Sequence, residues 1–308
     1  MTKLLTITAA RCRIGRHRLL DIPHFSVASG EHWCLFGPNG AGKSLLAALA
    51  TGQRMESGQY VAYGPGFDPA ADVVRVSFEE QQRLWQRDNR LDISEFNADA
   101  KDSGTRVAEL IQGREVLEPE LLHELLAVLN LSDLTDQGIR FLSSGQVRRA
   151  LIARALYATA TGRRRLIVLD DPLESIDLSS QQSIVQCIAA KLGPHCASLQ
   201  LCRREQDILP GVTHMALMDD LRVLASGPVD EIRSRAEFRE ITNRQPEIPG
   251  QLPNSAIHSG HASARSRSGP LIELRSVSAG YGERVVFSGL NWRMDQDDHV
   301  LIEGPNGC

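Results

Sequence analysis

Residues 37–44 read GPNGAGKS, which ends in a lysine and a hydroxyl that suit phosphate chemistry. Gly37, Gly40 and Gly42 let the backbone bend so that its N–H groups, including those of Asn39 and Ala41 beside Pro38, surround a phosphate. Lys43 would reach the outer phosphate oxygens and Ser44 would ligate Mg²⁺. A second set of reactive groups closes the stretch RRRLIVLDDP at 163–172, where Asp170 and Asp171 follow an apolar run. A carboxylate there can hold the same Mg²⁺ that Ser44 touches. The third set is FLSSGQVRRALIARALYA at 141–158, in which Ser143 or Ser144 can cap a helix and aim its N–H groups at a phosphate.

These groups need elements to place them. The apolar residues before Gly37 predict a strand, and Leu45, Leu46, Leu49 and Ala50 recur with helical spacing after the loop. Leu166–Leu169 has the length and branching of a strand buried on both faces of a parallel sheet. Asp170 then falls at a strand's carboxyl end, where open α/β sheets bind their ligands. The segment after Ser144 reads as an amphipathic helix, with Leu151, Ile152, Ala155 and Leu156 on the apolar face and Arg148, Arg149 and Arg154 available to solvent or phosphate.

LSSGQ at 142–146 resembles the LSGGQ signature of ATP-binding cassette (ABC) ATPases, and PLESID at 172–177 resembles their D-loop, with Asp177 as its acidic residue. With the P-loop, these motifs follow the family's order across residues 1 to about 235. The resemblance implies an α/β, P-loop NTPase fold: a RecA-like parallel sheet with a helical subdomain at about 80–150. It also implies ATP and Mg²⁺ as cofactors and hydrolysis between two domains set head to tail. On that pattern the P-loop residues hold ATP, while Ser143, Ser144, Gly145, Gln146 and Asp177 face the nucleotide of the opposing domain. Lys43 and Asp171 are then the catalytic groups, and Ser44, Asp170 and Glu79 attend the metal.

The first cassette departs from its family in four places. Asp171 stands where Glu is usual, and a shortfall of about 1 Å in a catalytic group costs on the order of a hundredfold in rate. Cys202 or Arg203 occupies the position of the switch histidine, and neither carries protons as imidazole does. Glu79 replaces the lid glutamine and adds negative charge beside a triphosphate. Ile14 stands where an adenine-stacking aromatic is expected. A slow first site is therefore predicted.

The tail from Leu271 can be laid on the N-terminus with an offset of 267, which puts Tyr281 on Ile14 and Gly304-Pro305-Asn306-Gly307 on Gly37-Pro38-Asn39-Gly40. Residues 271–308 therefore read as the start of a second ABC domain, and the chain as a fragment of a longer one. Residues 236–270, of which 243–270 is rich in Pro, Gly and Ser, read as a flexible linker. The arrangement resembles the soluble two-cassette ATPases associated with molybdate transport, which implies ATP hydrolysis as the ATP-binding component of a transport system. The competing reading is a soluble ATP-gated binding or regulatory protein uncoupled from transport.

At 308 residues and 42% hydrophobic content the chain can build real cores. A formal net charge of −4 argues against a nucleic-acid partner, since phosphate neutralisation needs a basic face. Six scattered cysteines without CxxC spacing suit a reducing cytosol. No stretch has the roughly 18–20 apolar residues of a membrane span, so the chain is expected in the cytoplasm, or peripheral on the inner membrane face if a permease subunit docks beside Glu79. The other expected partner is a second ABC domain, from the same full-length chain or another copy. His258 and His261 alone make a poor metal site.

Overall fold

A computed structural model of the chain describes residues 2–15, 18–54, 56–90, 104–113, 117, 119–244, 269–281, 284–295, 298 and 300–301. They divide into two units, Met1–Asn243 and Arg244–Cys308. Five of the cysteines are free thiols.

The first unit runs β1 (Lys3–Ile14), β2 (Arg18–Ala28), β3 (His32–Phe36), α1 (Lys43–Ala50), α2 (Ser57–Tyr60), β4 (Val61–Tyr63), α3 (Pro69–Asp72), β5 (Val73–Val76) and α4 (Phe78–Arg90). It continues with α5 (Val107–Gln112), α6 (Pro119–Val128), α7 (Ser144–Thr159), β6 (Arg165–Asp170), α8 (Leu178–Lys191), β7 (Cys196–Cys202), β8 (His214–Asp219), β9 (Arg222–Pro228), α9 (Val229–Ser234) and α10 (Ala236–Asn243). One nine-stranded sheet has the order β4-β1-β2-β9-β8-β3-β7-β6-β5. From β8 to β5 its neighbours pair in parallel. The β1–β2, β1–β4 and β8–β9 pairs are antiparallel, so the sheet is mixed rather than wholly parallel.

The parallel strands are short and apolar because both their faces are covered; all five residues of β3 and all seven of β7 are buried. Leu4, Ile7, Phe25, Leu46 and Leu49 belong to the core that joins the β1–β2 hairpin to α1. A second core gathers α5, α6, α7 and one face of β6, with Leu125, Leu151 and Ile167 at its heart. A third lies under β3 and β8, where Phe36 meets Phe238 of α10 with ring centroids 5.0 Å apart.

That contact corrects the domain boundary expected at 235. Phe238 and Ile241 recur at helical spacing and are buried in the third core, so 236–243 is part of the first unit and not linker. Residues 245–268, including His258 and His261, lie outside the described residues.

The helix at 144–159 also differs from its amphipathic reading. It is buried on almost every side, including Gly145, Val147, Ala150, Ala153 and Tyr157. Arg148 is only 2% exposed, and the other two arginines are engaged inside the protein. Arg149 is bound by Asp177 and Ser180, and Arg154 donates to Glu80 Oε1 at 2.9 Å and to the Arg75 carbonyl at 3.0 Å. The sequence pattern shows charge but not which partners absorb it.

The second unit is described mainly as an antiparallel hairpin of β10 (Ile272–Tyr281) and β11 (Arg284–Met294). Residues 302–308, and with them the repeated Gly304-Pro305-Asn306-Gly307, lie outside the described residues.

Candidate functional site

The loop at 37–42 leaves the carboxyl end of β3 and enters α1, and glycine is required at two points of it. A Cβ on Gly37 would stand 2.1 Å from the Met218 carbonyl oxygen, so the loop packs on β8 at a distance no side chain permits. Gly42 has φ +98° and Leu221 and Leu20 side chains where a Cβ would go, so its left-handed turn starts α1. The Lys43 ammonium donates to the Gly37 and Pro38 carbonyls at 2.8 and 2.9 Å, folding the side chain over the loop. Burial pushes its pKa down, while Asp170 and Asp171 oppose that shift.

β6 delivers Asp170 to the same edge. Between β3 and β6 lies β7, so the ends of three adjacent parallel strands converge. The Ser44 hydroxyl donates to Asp170 Oδ2 at 3.4 Å. Asp170's pKa is pushed up to about 6, first by burial and then by the neighbouring charges of Asp171 and Glu79. A divalent cation would relieve this crowding. Among the described residues no group of three or more His, Cys, Asp or Glu forms a cage for a metal. Two protein ligands, Ser44 and Asp170, suit Mg²⁺, which keeps waters and takes phosphate oxygens for its remaining positions. The chain's groups thus fit MgATP.

A cleft of about 380 Å³ opens along this edge, lined by Asn39, Gly40, Gly42, Lys43, Ser44, Asp170 and Asp171, with Ile14 and Arg18 also on its wall. Its remaining lining includes Cys202, Arg203 and Leu221. Asp171 adopts φ +42°, a left-handed conformation that Asp tolerates better than most residues. Cys202 is 1% exposed, and a hydrogen bond with Cys34, followed by burial, raises its thiol pKa, so it cannot shuttle protons at neutral pH. Glu79 lies on an adjoining cleft of about 580 Å³ with Ser44 and Asp170, and not on the wall of the loop's own cleft.

The signature residues stand apart from that cleft. Ser143 is the N-cap of α7 in a reciprocal box: its hydroxyl accepts from the Gln146 N–H at 3.3 Å, and its own N–H donates to Gln146 Oε1 at 2.8 Å. Both side chains are thereby occupied. The N–H groups of Ser144 and Gly145, in the first turn, are the donors a helix N-terminus leaves for an outside acceptor. Asp177 caps α8 and accepts from the Ser180 N–H at 3.1 Å, the Ser179 hydroxyl at 2.6 Å and Arg149. Its pKa falls to about 2, chiefly through the serine bonds. Sequence reasoning left Arg148 available to solvent or phosphate, whereas it is buried and reaches from α7 to Glu174 at 3.4 Å. No local signal distinguishes it from a surface arginine.

Residues 20–174 match the family described as ABC transporter. The chain is 26% identical over 312 residues to the ABC transporter ATP-binding protein ModF of Escherichia coli (strain K12), covering 99% of this chain and 60% of that protein. It is 33% identical over 187 residues to the Fe(3+) ions import ATP-binding protein FbpC of Streptomyces avermitilis, covering 59% of this chain and 50% of that one. The chain therefore spans about half to three-fifths of these curated relatives' lengths. A nucleotide-free ATP-binding cassette from an ABC transporter superposes with a TM-score of 0.55 at 20% identity, covering 79% of this chain and all of that one, a likeness of fold.

Proposed function

The chain belongs to the ABC transporter family, and on that premise we propose that its first unit binds MgATP at the 37–44 loop and hydrolyses it slowly. One observation carries the reading: the loop's lysine and serine and the two aspartates at the carboxyl end of β6 meet in one cleft, with Ser44 Oγ 3.4 Å from Asp170. When bound, Mg²⁺ supplies charge neutralisation of the phosphates. The chain's own work is to wrap the phosphates in backbone N–H groups, hold Lys43 over them and aim Asp171 at the attacking water. Asp171 takes that last role with a side chain one methylene short.

Turnover in this reading needs an opposing ABC domain, whose nucleotide the N-terminus of α7 would face. Residues 271–308 are proposed to begin it. With the offset of 267, the last residue of β10, Tyr281, falls on the last residue of β1, Ile14. Leu4, Leu5 and Leu20, each fully buried, correspond to Leu271, Ile272 and Phe287, which are 56%, 41% and 40% exposed. The hairpin thus repeats an apolar face that in the first unit is a core. The proposed asymmetric pair has a slow site on Lys43 and a faster one built by the second loop with Ser144 and Gly145.

The proposed role is the ATP-binding component of a transport system, in the cytoplasm or against the inner membrane face with a permease subunit. Among the described residues no helix is long and apolar enough to cross a membrane. The resemblance of the two-cassette arrangement to ATPases associated with molybdate transport favours a molybdate-linked system, whereas the printed name of the relative FbpC concerns Fe(3+) ions. Equilibrium titration with MgATP tests the site: Lys43→Ala should weaken binding by at least about tenfold, the worth of one charge-assisted phosphate contact. Unchanged affinity would remove this cleft as the nucleotide site.

A further inference from the structure

Arg148 sits in the second turn of α7, buried to 2% exposure. Its Nη2 donates to Glu174 Oε2 at 3.4 Å, while among the described residues Nε and Nη1 have no hydrogen-bond partner. Burying a guanidinium so incompletely served is costly, and an apolar side chain of similar volume would fill the space without that cost. The carboxylates that act on its charge are Glu174 first, then Asp170, Asp171 and Glu79. Arg148 does not itself line the cleft of the phosphate loop. Any effect it has on that cleft passes through the residues it holds.

The residue it holds is tied to Asp171. Glu174 donates its backbone N–H to the Asp171 carbonyl at 3.1 Å, and Ile176 donates to the Leu173 carbonyl at 3.2 Å, so 171–176 closes into two tight turns. Asp171 at φ +42° and Ser175 at φ +64° both adopt left-handed backbone there. Residues other than glycine keep that conformation only where their surroundings impose it. At one end of the segment Asp170 is paired in the sheet with Leu201. At the other, Ile176 is buried in the second core and its carbonyl accepts from Gln181 Nε2 at 2.9 Å. The Arg148–Glu174 pair is a tie at the middle, where the side chain of Glu174 is otherwise 59% exposed.

We propose that Arg148 is a positioning residue for hydrolysis: by gripping Glu174 from inside α7, it fixes the 171–176 turns and keeps the Asp171 carboxylate on the cleft wall. The stability given up by burying this charge is then the cost of placing Asp171. The inference rests on the hydrolytic reading of the cleft, and it adds a residue that reading does not use.

The test reads urea unfolding on the 308-residue chain, and MgATP affinity and single-turnover hydrolysis on the full-length protein with its other phosphate loop inactivated by substitution. Arg148→Met should leave the urea midpoint unchanged or raise it, since apolar packing replaces a poorly served buried charge. Glu174→Ala should lower the midpoint, because Arg148 stays buried without its carboxylate. Both should slow hydrolysis by roughly ten- to a hundredfold, the scale of a misplacement of about 1 Å, and keep MgATP affinity within about twofold. The double variant should be no slower than the slower single variant and should regain the Arg148→Met midpoint. An Arg148→Met protein as fast as the parent, rate losses that follow losses of stability and affinity, or losses that multiply in the double variant each overturn the proposal. If the unaltered protein does not bind and hydrolyse MgATP, the hydrolytic reading itself falls, and Arg148's role with it.

Discussion

In the proposed reading, Asp171 limits what the first site can do. Its left-handed backbone, φ +42°, turns the chain sharply after β6 and sets the carboxylate at the cleft wall. Restoring the missing methylene with Asp171→Glu should raise single-turnover hydrolysis by tens of times, toward the roughly hundredfold that a 1 Å displacement costs. Asp171→Asn should remove turnover while MgATP still binds. Rapid-quench measurement on the full-length protein reads both, and a Glu variant no faster than the parent would show that Asp171 is not what slows the site.

At the scale of elements, the capped helices α7 and α8 are joined through one carboxylate. Asp177 ends the loop that follows β6, caps α8 and holds Arg149 of α7. Asp177→Ala should cost about 1 kcal/mol or more of stability from the lost cap alone, measured by urea unfolding. Its pH dependence has a definite sign. The folded-state pKa of about 2 lies below the ordinary carboxylate value, so the carboxylate's contribution is present above about pH 4 and is lost as pH falls toward 2. The Ala variant should therefore show a flatter loss of stability across that window. Equal slopes would mean that the serine bonds do not hold the ionised form.

For the molecule as a whole, the first unit ends at Asn243, and α10 closes its third core. A chain cut after Arg235 loses Phe238 and Ile241, two buried apolar side chains each worth about 1.5–3 kcal/mol. It should unfold at markedly lower urea than one cut after Asn243. Coincident transitions would place the boundary back at 235. The hairpin at 272–294 raises a complementary point: its apolar positions repeat those that the first unit buries against α1 and its neighbours.

The loop, strand end and cap that carry the candidate site were legible in the sequence because they depend on local types and spacing. Three glycines before Lys43-Ser44, an apolar run ending in Asp170-Asp171, and Ser143 three residues before Gln146 each specify a loop, a strand end and a cap with no distant information. The proposed repeat at an offset of 267 rests on local types in the same way. Tertiary structure alone decided where charges went. Arg148, Arg149 and Arg154 read as surface groups, yet packing buried the first and gave the others Asp177, Ser180 and Glu80 as partners. The pairing of β7 with both β3 and β6 likewise set Arg203 on the cleft while Arg204 beside it is clamped by Asp207. Such outcomes depend on which distant segments become neighbours, and a β-sheet's strand order is set by the whole chain's burial and not by any one window.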